Sequence, residues 1–171
     1  PGRVRLMDIA SHAGKDGDSH LNNLIGDSGR DTIEQLHRAE RLSAELITTR
    51  FRGAAGNVRY SYSVHESSAE LIGGSLGLAA LAGLLAEYSQ RHNLRERWYL
   101  ASTVACMGGL DEDGSVIPGS WESLEAKLRL AFHSALEKIV IPSAHREAAL
   151  QAVQMLQREY PNRILEIIGV C

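Results

Sequence analysis

Residues 71–80 read Leu71-Ile72-Gly73-Gly74-Ser75-Leu76-Gly77-Leu78-Ala79-Ala80, one hydroxyl set among glycines directly before a run of Leu and Ala. The pattern predicts a helix over Leu76 to Gln90, apolar on nearly every face and so buried on most sides. Three chemistries fit a serine at such a start. It can cap the helix, because its side-chain oxygen accepts from the first N–H groups, which lack intrahelical partners. It can belong to a glycine- and serine-rich phosphate loop like that of small-molecule kinases, although those loops usually hold more serines. It can also be a nucleophile, with helix N–H groups and the positive end of the helix dipole beside its oxygen.

A second residue bears on the choice. The segment Trp121 to Ala135 predicts a helix whose Leu124, Leu128, Ala131 and Ala135 recur as a core-facing stripe. Lys127 borders that stripe, whereas Glu122, Glu125 and Arg129 fall on the far side, and His133 faces away from the lysine. One reading lays the lysine stem on the core with its ammonium reaching water. The other desolvates the amine, lowers its pKa and makes it a base near neutral pH. A serine hydroxyl is a poor nucleophile until a base takes its proton, and a partly buried lysine is one group able to do so. Backbone N–H groups near Gly74 and Ser75 would then hold the oxyanion.

Around these two helices the chain alternates between strand and helix signals. Gly2 to Ile9 reads as a strand, and Ser11 to Gly29 as loop with a short strand at Leu21 to Ile25. Ile33, Leu36, Ala39, Leu42 and Leu46 predict a helix over Asp31 to Thr48, with capping-box-like spacing between Asp31 and Glu34. Arg52 to Asn57 is a turn or loop, and Val58 to Val64 alternates strictly, the clearest strand in the chain. Tyr99 to Met107 reads as a covered strand, Asp111 to Gly114 as a hairpin turn, and Ser115 to Ile117 as the returning strand. A strand at Lys138 to Ile141, a helix at Arg146 to Tyr160 and a strand at Ile164 to Val170 follow. Without a regular β-α repeat, the order favours an α+β fold or a mixed sheet with packed helices.

Composition bounds the rest. The 171 residues, 44% of them hydrophobic, suffice for one domain with a real core. A net charge of −3 provides no electrostatic case for nucleic acid or an anionic membrane surface. The longest apolar run, Leu76 to Ala86, is too short to span a bilayer. Cys106 and Cys171 form neither a disulfide framework nor a zinc pattern, which favours a reducing, cytoplasmic location. The start at Pro1 has no initiator Met and no signal-peptide pattern, so the expectation is one domain over residues 1–171, excised from a longer chain. His12, Asp16, Asp18 and His20 match no ligand spacing and read as a solvated loop, so no metal is expected.

Taken together, these motifs resemble the proteolytic domain of the Lon-type Ser–Lys proteases. Gly73-Gly74-Ser75-Leu76-Gly77 is similar to the family's nucleophile stretch, and residues 105–119 (ACMGGLDEDGSVIPG) to its following hairpin. Leu124-Glu125-Ala126-Lys127-Leu128-Arg129-Leu130-Ala131 is similar to its lysine helix, and Lys138-Ile139-Val140-Ile141-Pro142 to the strand after it. Order and rough spacing agree over about residues 17–145. The chain departs from the family with Leu71-Ile72 before the glycines, Leu76 after the serine, and Met107-Gly108-Gly109 where Thr-Gly-Glu is common.

The resemblance implies a Lon-like α+β domain acting as a serine endopeptidase on protein or peptide substrates. Ser75 is then the nucleophile, Lys127 the base and the Gly74 backbone an oxyanion donor, with no metal or organic cofactor. It further implies a homo-oligomer, often a hexameric ring, and an ATPase or sensor module outside this chain, which has no phosphate-binding Gly-x-x-x-x-Gly-Lys-Ser/Thr loop. The rival reading from another class is a non-catalytic Lon-like scaffold or oligomerisation module.

Overall fold

The structure, a computed structural model, describes residues 7–13, 30–51, 58–64, 74–92 and 97–171. The described chain is mixed α+β, with a small parallel sheet and packed helices. Its contacts cluster into two units, one including Gly74–Ala79 and Ala101–Cys171, the other Arg5–Gly73 and Ala80–Leu100.

In the second of these, β1 (Met7–Ala13) pairs antiparallel with β2 (Val58–Val64), from Met7 opposite Val64 to Ala13 opposite Val58. The pairing carries β1 four residues past Ile9, because the seven-residue β2 offers a ladder along its whole length. Tyr60 and Tyr62, two apart and hence on one face, are both buried. The Tyr62 hydroxyl donates to Glu40 Oε1 at 2.6 Å, and burial, then the Glu40 charge, drives its pKa upward. Helix α1 (Arg30–Phe51) buries Leu36, Ala39 and Leu42 of the expected stripe together with Thr32, Gln35, Ser43 and Ile47, as the 3.6-residue helical repeat requires of a broad inward face. That repeat puts Ile47 inside and leaves Leu46 40% exposed. Asp31 lies within the first turn of α1, where the helix dipole favours a carboxylate, so it is not the cap. Of the loop expected over Ser11 to Gly29, Ser11 to Ala13 belong instead to β1, and the rest, with the expected strand at 21–25 and loop at 52–57, lies outside the described residues.

The other unit follows the sequence reading closely. A three-residue 3₁₀ turn, Gly74–Leu76, opens α2 (Gly77–Arg91), of which Gly77–Ala79 belong to this unit and the remainder to the first described. Strand β3 (Val104–Cys106) is followed by the hairpin β4 (Gly109–Leu110) and β5 (Val116–Ile117), then by α3 (Trp121–Phe132). After it come β6 (Lys138–Pro142), a second 3₁₀ turn (Ser143–His145), α4 (Arg146–Glu159) and β7 (Glu166–Val170). The sheet runs β3-β6-β7, parallel throughout, and β4–β5 is a separate antiparallel pair. Parallel and antiparallel pairings therefore occupy different sheets among the described residues, where a mixed sheet was expected.

The centre strand β6 explains this core. Ile139 and Ile141 are fully buried, as a middle strand of a covered parallel sheet requires. Leu124, Leu128, Ala131 and Phe132 of α3 join them, with Ala149 and Val153 of α4 and Ile167 of β7. Truncating Leu128 to Ala in such a site costs about 2–5 kcal/mol.

Two boundaries differ from expectation. The strand expected from Tyr99 begins only at Val104, and Tyr99 and Leu100 are exposed. A turn closed by Val104 N–H onto the Ala101 carbonyl precedes it, and the Thr103 carbonyl takes the N–H groups of Glu137 and Lys138, so the ladder starts there. Helix α3 stops at Phe132 rather than Ala135. Arg163 ends it: Nε donates to the Phe132 carbonyl at 2.7 Å, and Nη2 to the carbonyls of Ala131, Ser134 and Leu136. A cation on the last carbonyls satisfies them and suits the negative helix end. Ala135 is consequently exposed, and Phe132 takes the place expected for it in the core.

Candidate active site

The 3₁₀ turn at Gly74–Leu76 brings Ser75 to the start of α2, and the turn is held by chain far away in sequence. Gly108 donates its N–H to the Ser75 carbonyl at 3.0 Å and accepts from the Leu78 N–H at 3.0 Å. A single residue after β3, through its two flanking peptide units, thus engages both sides of the helix start, satisfying a donor that the helix itself cannot. The preceding N–H, of Met107, donates to the Val140 carbonyl at 2.8 Å, tying the same segment to β6. Gly108 has φ +154°, a conformation suited to glycine, and a Cβ there would approach Val116 Cγ1 to 2.9 Å. The hairpin beyond it closes with Asp111 N–H on the Ser115 carbonyl and Gly114 at φ +90°.

Lys127 comes from the other side. With Leu124 and Leu128 turned into the core, the intervening Lys127 is carried along the flank of α3, partly buried. Its Nζ donates to Ser75 Oγ at 2.9 Å, across 52 positions of sequence. Burial lowers the lysine pKa from its ordinary 10.5, and no carboxylate among the described residues offsets the effect. Glu125, the nearest acidic neighbour in sequence, is engaged by Arg129 at 3.0 Å one turn along the exposed face. A hydroxyl in contact with a desolvated amine is a pair through which a proton can move.

The two side chains paired by the sequence reading are therefore in hydrogen-bond contact, and Gly74 opens the turn that holds the serine. The other candidates stand apart from this pair. His133 is exposed and meets the rings of Phe132 and Tyr160 edge-on. Burial pushes the Cys106 thiol up, the opposite of a reactive cysteine. His12 lies in β1, while Asp16, Asp18 and His20 fall outside the described residues. No group of three His, Cys, Asp or Glu among the described residues could hold a metal ion. No described helix is long and apolar enough to cross a membrane.

Sequence reading placed Gly108 and Gly109 after the strand ending at Met107 and marked them as a departure from Thr-Gly-Glu, without giving their backbone a contact with the Ser75 turn. Their adjacency was the available signal: two glycines where a strand stops leave backbone open to close approach. Gly109 shows such an approach, since a Cβ on it would lie 2.9 Å from the Gly74 carbonyl oxygen. In comparisons with known proteins, no family model matches this chain, and no curated protein matches it significantly.

Proposed function

We propose that the chain is a Lon-like serine endopeptidase working through a Ser75–Lys127 dyad. The observation that carries this reading is the 2.9 Å contact between Lys127 Nζ and Ser75 Oγ, made by an amine whose pKa burial lowers. In the reacting state the amine is neutral and the hydroxyl donates to its lone pair. As Ser75 Oγ bonds to the peptide carbonyl carbon, its proton passes to Lys127. Backbone N–H groups at Gly74 and Ser75 hold the tetrahedral oxyanion, in a setting where fixed dipoles act strongly. Collapse breaks the C–N bond, and the Lys127 ammonium returns the proton to the leaving amine. Water then attacks the acyl ester, its proton going to Lys127 and from there to Ser75 Oγ as the bond to the enzyme breaks. Protein substrates, ring-like homo-oligomers and an ATPase or sensor partner module belong to the same proposal through the resemblance.

The test is cleavage of a fluorescein-labelled unfolded protein, with a fluorophosphonate to label the nucleophile. Ser75→Ala should lose both cleavage and labelling, and Lys127→Ala should lose cleavage. Either variant cleaving as fast as the parent rejects the dyad. A folded parent that assembles but never cleaves or labels is the scaffold instead.

A further inference from the structure

We infer that Gly109 is a positioning residue of the Ser75 site, setting the rotation of the Gly74–Ser75 peptide and so the direction of the Ser75 N–H. The inference rests on the peptidase reading and deepens it. A trans peptide is planar, with its C=O and N–H pointing in opposite directions. The Gly74 oxygen lies 2.9 Å from where a Gly109 Cβ would be, so this carbonyl faces β4 and the N–H of the same peptide faces away from it. The next peptide is oriented likewise, because the Ser75 carbonyl accepts from Gly108 N–H. Two successive carbonyls are thus turned onto the Gly108-Gly109 backbone, and the Ser75 N–H, one of the two proposed oxyanion donors, is presented on the opposite side. An oxyanion hole needs donors held in this way before the charge develops.

Gly109 is the informative one of the pair. Gly108 has the positive φ, so any side chain there strains the backbone itself. Gly109 has no such φ, and an alanine at this position acts through contact alone. Its Cβ would meet two neighbours, Ile117 Cγ1 at 2.8 Å and the Gly74 oxygen at 2.9 Å. Ile117 is partly exposed and can swing aside. The Gly74 oxygen is backbone, and relieving this contact by turning its peptide moves the Ser75 N–H.

The test uses the full-length protein with Gly109→Ala, read by steady-state cleavage, peptide-boronate affinity and the pH–rate profile. The expected result is a fall in kcat of about 10²-fold, the scale of losing one oxyanion donor. KM and the pH midpoint should hold, because substrate contacts and Lys127 are untouched, while affinity for the tetrahedral boronate falls with kcat. Gly119→Ala, with nothing within 4 Å of its Cβ, should match the parent. Gly109→Ala/Ile117→Ala removes the side-chain contact and decides the matter even if the single variant folds poorly. A persisting loss of kcat supports the inference; recovery overturns it and assigns the effect to Ile117. An unchanged kcat, or a loss shared with KM and the pH midpoint, also overturns it. A parent that neither cleaves nor reacts with a fluorophosphonate sinks the peptidase reading and this inference with it. A reactive parent beside an equally reactive Gly109→Ala sinks this inference alone.

Discussion

Two serines in this chain follow a glycine and stand at the start of a helix, yet their oxygens are used differently. Ser120 is the N-cap of α3, with extended backbone (φ −68°, ψ 144°) and an Oγ that accepts from the Ser123 N–H at 3.3 Å. Ser75 lies inside a 3₁₀ turn, and its Oγ accepts from Lys127 Nζ at 2.9 Å. The first oxygen is committed to backbone three residues away, which any helix start can supply. The second meets a side chain delivered by a different helix. A glycine, a serine and an apolar run are compatible with both settings, and the group facing the hydroxyl separates the cap at Ser120 from the nucleophile proposed at Ser75.

Substitution can separate the two serines. The largest effect should come from Ser75→Ala, with kcat falling on the order of 10⁶-fold, as for other nucleophile deletions, and thermal unfolding little changed. Ser75→Ala with parental cleavage would make the two serines equivalent.

Lys127→Met should follow, with a loss of about 10⁴-fold or more in kcat. In the parent the amine must be neutral to act, so the rate should climb about tenfold per pH unit below the lysine pKa and level off above it. That bend should lie below the ordinary lysine value of 10.5. Stability carries the same sign: the unfolded chain binds the lysine proton more tightly, so parental stability rises with pH between the lowered pKa and 10.5. Lys127→Met should lack this rise in denaturant titrations across pH. A parental rate that is flat with pH would remove lysine as the base.

Two smaller effects concern the helix that presents Lys127. Arg163→Ala should destabilise by about 1.5–3 kcal/mol, since it strips charge-assisted bonds from the carbonyls ending α3. Urea unfolding measures this, and an unchanged midpoint would show that water caps the helix as well. Ser120→Ala should be the mildest, costing about 1 kcal/mol of stability with kcat unchanged. A loss of cleavage there at full stability would give Ser120 a part in the chemistry and undo the contrast with Ser75.

Periodicity made the elements bearing the site legible, because apolar spacing reports which face is buried. Val58 to Val64 is a strand with the expected bounds, and α3, β6, α4 and β7 lie within a few residues of theirs. Lys127 was identifiable for the same reason, as a charge on the border of a core stripe. The ends of elements were less legible. Tyr99 to Thr103 has strand-like composition, but its parallel partner β6 starts opposite Val104. Similarly, α3 is ended by an arginine 31 positions beyond Phe132. Both boundaries are set by long-range partners, and a local pattern carries no record of them.

By itself, the sequence determined an α+β chain with a glycine-flanked serine before an apolar helix and a lysine beside a core stripe. These follow from composition and spacing, which act within a few residues along the chain. The tertiary structure alone decided that Lys127 meets Ser75, that Gly108 N–H donates to the Ser75 carbonyl, and that the Gly74 carbonyl lies against Gly109. These contacts join segments more than thirty positions apart. Packing of α3 and the β3–β4 turn brings those segments together, and only then does the serine oxygen have an amine beside it.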